Sequence, residues 1–382
     1  MEPKHKSLRR YVLSTIFMLA VLAITFYFLF RDTDLQEILR IVRAADWRYV
    51  TLGFVFMFTQ QGLYTVVLAK LLTGTLKTRL PFSISIYTSF IGYYFNNITP
   101  SASGGQPVQV YYLYRRGVNI PSSSVMFILQ ALLVYSTTLF LTVVAIILRP
   151  GLVFTAMGHY NLLFAFGVIF ALTMLYICFF LLYRPGVLRK SARWLERVLV
   201  RLRLMRHPEK FRAKAEQQID IYSDSSFNIL RNTKLLLSLF GLTLLQHIFY
   251  YLIPWAAARS LNVGADRFVD IFCLQSVLNL AVSGFPTPGS VGMTEGGFRT
   301  IFQAVLPEGM ALPTMLVTRF INFYAFLVLS MIITAIAFIR VNRSRQFTVD
   351  LPDQPQSDHL PDEPKSDDLP DNKPQSDDLP DL

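Results

Sequence analysis

Apolar residues fall into blocks at 11–30, 49–69, 125–148, 162–183, 235–258 and 315–339. Each is close to or above the roughly 20 residues that a helix needs to cross a hydrocarbon core of about 30 Å. The pattern predicts an all-α polytopic membrane protein with six full transmembrane helices. Two further apolar stretches, 82–97 and 268–283, are shorter; at 1.5 Å per residue such an arm reaches only about 24 Å. Each runs into a proline- and glycine-bearing break, Thr99-Pro100-Ser101-Ala102-Ser103-Gly104-Gly105 and Pro286-Thr287-Pro288-Gly289-Ser290. Irregular backbone at membrane depth leaves N–H and C=O groups that only protein or water can satisfy. The breaks therefore read as the tips of two re-entrant helical hairpins, which a simpler count would score as eight transmembrane segments.

Composition agrees with this class. The 382 residues are 53% hydrophobic and 16% charged, outside the soluble globular range. No small-residue cleavage site follows the 11–30 run, so it reads as an anchor. Cys178 and Cys273 are far apart and offer neither a disulfide framework nor a metal-ligand spacing.

Charge supplies the orientation. The net charge of +11 divides into −9 over residues 350–382 and +20 over the remainder, and the basic excess sits mainly in short loops beside apolar runs. Lys and Arg collect on the cytoplasmic side of such loops. With both interrupted segments entering and leaving on one side, the clusters at Lys4–Arg10, Lys70–Arg79, Arg115–Arg116, 184–214 and 340–345 all become cytoplasmic, as do both termini. Residues 31–48, which mix Arg31, Arg40, Arg43 and Arg48 with Asp32, Asp34, Glu37 and Asp46, are expected to form an amphipathic interfacial helix outside. On this plan the membrane domain occupies 1–345, and residues 49–148 and 234–339 share one order, span then hairpin then span, inserted in opposite senses. Such an inverted repeat places its two hairpin tips near the bilayer midplane.

Residues 184–233 form a basic insert in which 187–204 fits an amphipathic helix lying against anionic lipid; a solvated helical hairpin is the alternative. Residues 346–382, with the repeats DLPDQPQSD, HLPDEPKSD and DLPDNKPQSD, hold too little apolar surface to offset ordering entropy and are expected to be a disordered acidic tail.

Candidate chemistry gathers at the breaks. Around the first, Asn97, Thr99, Ser101, Ser103, Gly104, Gly105 and Gln106, with Asn96 and Gln109, form an uncharged polar lining. Such groups can hydrogen-bond a headgroup without burying charge, or merely satisfy the turn. Pro107 is expected to open the returning helix. Around the second, Pro288, Gly289 and Gly292 precede Glu295, the acidic residue of the returning stretch. An intramembrane ionisable group is a functional candidate by default; Glu295 could attract a cationic headgroup or carry a proton, or it could cap its helix or pair with Arg299 or Arg319. Arg319 either faces the cavity as a bidentate phosphate ligand or snorkels outward. Gln60, Gln61, Gln130, Gln246, His247, Asn279 and Asn322 read as interhelical hydrogen-bonding groups.

No P-loop, HExxH, G-x-S-x-G or His/Cys metal spacing occurs, so neither cofactor nor metal is expected, and the pattern argues against an ATP-driven pump. No separate basic domain with interleaved aromatics suggests nucleic-acid binding.

The stretches Thr99-Pro100-Ser101-Ala102-Ser103-Gly104-Gly105-Gln106-Pro107 and Pro288-Gly289-Ser290-Val291-Gly292-Met293-Thr294-Glu295-Gly296 resemble the two breaks in the membrane domain of the lysylphosphatidylglycerol synthetase/flippase family, over about residues 10–340. The resemblance implies a bacterial plasma-membrane flippase that moves aminoacylated phosphatidylglycerol outward and protects against cationic antimicrobial peptides. It also implies phospholipids as partners and a separate lipid-modifying synthase as a candidate one, with homo-oligomer formation left open. Bifunctional relatives append a soluble aminoacyl-tRNA-dependent transferase domain, whereas a short acidic tail follows Arg345. Three readings stand at this point: a flippase for lysyl-phosphatidylglycerol or another polar lipid, a lysyltransferase family member or subunit, and a scaffold acting through its tail.

Overall fold

The computed structural model describes Gln36, Arg40 and residues 43–76, 80–201 and 208–343. The 11–30 run, most of the 31–48 segment and the acidic repeats lie outside these residues. Every regular element among the described residues is helical. In chain order they are α1 (Trp47–Leu76), α2 (Phe82–Ile98), α3 (Gly105–Arg115), α4 (Ile120–Leu148), α5 (Pro150–Met157), α6 (Asn161–Tyr183) and α7 (Gly186–Arg201). There follow α8 (Pro208–Leu230), α9 (Thr233–Ser260), α10 (Phe268–Ala281), α11 (Met293–Phe302), α12 (Ala311–Arg319) and α13 (Ala325–Arg343), the last two joined by a π-helical turn, Phe320–Tyr324.

Among the described residues five helices are long and apolar enough to cross a membrane: α1, α4, α6, α9 and the continuous stretch Ala311–Val341. They coincide with the apolar blocks from 49–69 onward, and the architecture is that of an all-α polytopic membrane protein. Two of the spans start on the same device. The Asn119 side chain accepts a hydrogen bond from Ser122 N (2.8 Å) at α4 and Asn232 accepts one from Leu235 N (3.0 Å) at α9, each satisfying an orphan donor of a first helical turn.

Each interrupted segment has its own core. Ile91, Phe95 and Ile98 of α2 bury against Tyr112 and Leu113 of α3 and Val125, Met126 and Leu129 of α4. Ile271, Leu274 and Leu278 of α10 bury against Phe298, Ile301 and Phe302 of α11 and Leu312 and Met315 of α12. A third cluster, with Val50 and Met57 of α1, Phe90 of α2, Ile253 and Ala257 of α9 and Ile321 of the π turn, joins the two halves. The pairing of α1 with α9 is the most extensive between any two helices described.

By contrast α6 is apolar all round and peripheral, with Leu162 84% and Ile169 65% exposed, as expected of a lipid-facing helix. Leu163 packs on the second core, and Gly167 marks a close approach of backbones. A Cβ added to Gly167 would lie 2.1 Å from the Leu280 carbonyl oxygen of α10, so the two backbones touch where only glycine fits.

The amphipathic helix expected at 187–204 is α7, and α8 follows it. Ser225 of α8 shares a 2.8 Å hydrogen bond with Ser122 of α4, and Ser226 Oγ donates to Leu182 O of α6 at 2.7 Å.

Candidate functional site

Both breaks are built on a Thr-Pro dipeptide. Proline cannot donate a hydrogen bond and pushes the residue before it toward extended backbone. Thr99 accordingly has φ −112° and ψ 147°, and Thr287 has φ −109° and ψ 147°. Each is followed by a 3₁₀ turn, Pro100–Ala102 or Pro288–Ser290, whose last residue has φ 53°. The helices α3 and α11 begin at the same distance beyond, at Gly105 and Met293. The sequences share Thr-Pro and, five residues after the threonine, a glycine (Gly104 or Gly292), but the backbones part after the 3₁₀ turn: Ser103 and Gly104 are helical (φ −74°, ψ −20° and φ −85°, ψ −20°), whereas Val291 is extended (φ −60°, ψ 142°) and Gly292 has φ 89°. One detail corrects the expectation for the first break: α3 starts at Gly105 and Pro107 is its third residue. The first-turn amides of a helix have no intrahelical partner, so proline fits there as well.

The two turns pack against each other, and the second also rests on α2. Gly289 occupies the junction with φ 58°; a Cβ there would lie 2.4 Å from Phe323 Cε2 and 3.4 Å from Asn97 O. Gly289→Ala should therefore cost about 1–2 kcal/mol for its left-handed backbone in addition to displacing the Phe323 ring. A thermal melt of purified protein reads this loss, and an unchanged melt would show that the junction has slack.

Beside this junction sits a buried ion pair. Arg319, the last residue of α12, places Nε 2.7 Å from Glu295 Oε1 of α11, with side chains 7% and 4% exposed. The other carboxylate oxygen, Oε2, accepts from Gly292 N at 2.7 Å and caps α11. Glu295 thus both caps its helix and pairs with Arg319, while Arg319 points inward and does not snorkel. The Arg319 guanidinium stacks over Phe323 at 5.1 Å, the ring that bounds Gly289. Around them Tyr93 donates its hydroxyl hydrogen to Asn322 O, and Asn322 Nδ2 donates to Tyr250 OH at 3.5 Å. The π turn begins one residue after Arg319, and such turns are common at functional sites.

Several polar atoms at this place are buried without a hydrogen-bond partner among the described residues: Arg319 Nη2, Asn322 Oδ1, Thr287 Oγ1 and Asn96 Oδ1. Each such orphan costs about 1–3 kcal/mol if nothing binds it. Their gathering around two touching breaks marks a place that water or a polar ligand completes.

The remaining expected residues divide. Thr99 Oγ1 donates to Phe95 O (2.7 Å) and accepts from Gly104 N (2.9 Å), and Asn97 Nδ2 donates to Tyr93 O at 2.8 Å; these groups hold the first turn closed. Gly105 is buried against Asn96. Pro288 is buried in the second turn, which packs on the first. Ser103 is exposed and its hydroxyl donates to Pro100 O at 2.8 Å, and Gln106 is exposed on the first turn of α3. Arg299 is exposed on the last turn of α11 and is not brought to Glu295. The backbone of Ser101 lies in the first turn; its side chain lies outside the described set. Gln109, buried in α3, donates to Thr88 O at 2.9 Å and fastens α3 to α2.

Tyr93, Tyr250 and Phe323 complete the site and were not singled out in the sequence, where aromatics read as packing. The available signal was position: Phe323 stands four residues after Arg319, on the same helical face.

A sequence model of the family described as lysylphosphatidylglycerol synthase TM region matches residues 15–330. The chain is also similar to a UPF0104 membrane protein of Archaeoglobus fulgidus, 25% identical over 288 residues that cover 74% of this chain and 84% of that protein.

Proposed function

Because the chain belongs to the lysylphosphatidylglycerol synthase TM-region family, we propose that this multi-pass membrane protein is a flippase for a polar phospholipid of the lysyl-phosphatidylglycerol type in a bacterial plasma membrane. The observation that supports this reading is the meeting of the two Thr-Pro breaks beside the Glu295–Arg319 pair. A headgroup carrying a phosphodiester and an ammonium group can replace the pair term by term. The Arg319 fork takes phosphate oxygens bidentately and Glu295 takes the ammonium, so no buried charge is left uncompensated during passage. The acyl chains stay in lipid while the headgroup moves between the tips.

In this reading the closed turns are the gate, and the described arrangement is the occluded form. Both termini lie in the cytoplasm, and the lipid comes from a separate synthase. Outward movement of a cationic lipid lowers the attraction of the cell surface for cationic peptides, which connects the activity to peptide resistance.

The test is a leaflet-resolved assay in proteoliposomes, with an impermeant amine-reactive reagent reporting the arrival of lysyl-phosphatidylglycerol in the outer leaflet. Parent protein should accelerate arrival over protein-free vesicles. Arg319→Lys keeps the charge but loses the fork, and should slow transport about tenfold, the equivalent of ~1.4 kcal/mol. Equal rates with and without protein would refute the proposal. Formation of new lysyl-lipid after adding charged tRNA and phosphatidylglycerol would instead assign the chain to synthesis.

A further inference from the structure

The helix α7 carries a face that no other part of the described chain covers. Trp194 is 59% exposed. At helical spacing around it stand Lys190, Arg197 and Arg201, all exposed, with Val187 and Val198 between them. The opposite side is taken: Glu196, 8% exposed, pairs with Arg212 of α8 at 3.3 Å, and Arg189 pairs with Asp220 of α8 at 2.5 Å. The tether is short, since α6 ends at Tyr183 and α7 begins at Gly186. In addition α8 is bonded to the end of α6 through Ser226 Oγ to Leu182 O at 2.7 Å and Tyr222 OH to Leu181 O at 3.3 Å. The free face is therefore held at the membrane-proximal end of a spanning helix.

We propose that α7 lies in the headgroup layer of an anionic leaflet, with Trp194 at the acyl boundary and Lys190, Arg197 and Arg201 on lipid phosphates. A tryptophan has an apolar body and a polar N–H, and settles where hydrocarbon meets headgroups. The cations around it match phosphate in charge and lie on the face that looks away from α8, while the face toward α8 carries the Arg189–Asp220 and Glu196–Arg212 pairs. An amphipathic helix rich in arginine, with an aromatic residue on its apolar strip, binds in this way by area plus electrostatic attraction. The inference rests on the membrane architecture and does not require that the protein move lipid.

The full chain in nanodiscs tests it. Trp194 emission is read as the difference between parent and Trp194→Phe, against acrylamide in the aqueous phase and against lipids brominated near the headgroup. In discs containing phosphatidylglycerol the Trp194 signal should be quenched by brominated lipid, and its acrylamide quenching should fall to about half of that in phosphatidylcholine discs. Joint replacement of Lys190, Arg197 and Arg201 by Gln should abolish the difference between the two lipids. Full acrylamide access in both discs would place α7 in water and overturn the proposal. Protection from acrylamide without quenching by brominated lipid would assign the face to protein and overturn it too. Equal burial in both lipids, or an unchanged response in the triple variant, would remove the anionic headgroup as the ligand.

Discussion

Glu295→Gln is expected to lower the stability of the folded protein by about 3–5 kcal/mol, because it leaves the Arg319 guanidinium buried without a counter-charge. The carboxylate also caps α11 through Gly292 N, and a neutral amide oxygen there interacts less favourably with the helix dipole. Loss of transport in that variant would by itself say little about mechanism. The decisive comparison adds Arg319→Gln. With both charges gone no unpaired ion is left buried. The double variant should regain abundance and a thermal melt near that of the parent, yet stay inactive in the leaflet assay. Parent-like transport by the double variant would reduce the pair to a structural clasp.

Gly167→Val should have the next largest effect. The added Cβ would stand 2.1 Å from the Leu280 carbonyl oxygen, and that oxygen belongs to backbone at the end of α10, so no rotamer change can relieve the clash. Either α6 moves away or α10 does, at a cost at the upper end of the usual 1–3 kcal/mol for overpacking. Because α10 leads directly to the second break, displacement there should also shift the turn at Pro288–Ser290. Melting temperature and the rate of lipid arrival should fall together. An unaltered melt would mean that α6 is only loosely apposed in the lipid-embedded protein.

The spans were legible in the sequence because length and hydropathy alone decide them: the blocks at 49–69, 125–148, 162–183, 235–258 and 315–339 each lie within one of the five long apolar helices or stretches. The positions of the breaks were legible because proline removes a donor and restricts its predecessor wherever it occurs. The extended backbone at Thr99 and Thr287, φ −112° and −109°, was legible for the same reason; the divergence after the turns, where Ser103 is helical and Val291 extended, was not. The partner of Glu295 was one of several open choices. Arg299 stands one turn away on the same helix, but α11 turns it outward while Arg319 arrives from another helix. Local spacing favoured the wrong arginine and tertiary packing selected the right one. The contacts of Tyr93 and Tyr250 with Asn322 were invisible for the same reason: periodicity assigns a residue to a face but does not say which distant face it meets. The Arg149–Asp270 bridge, 2.8 Å across the start of α5 and the first turn of α10, was missed likewise.

The π turn at Phe320–Tyr324 has a consequence for how Arg319 can move. A wide turn of this kind holds surplus chain inside an otherwise regular helix. Rewinding it to α geometry would rotate everything on its N-terminal side by roughly 100° relative to α13, the angle that one residue subtends. Arg319, immediately before the turn, would swing off Glu295 as though on a cam, while α13 stayed seated in its own packing. The helix that supplies the cation thus contains its own swivel.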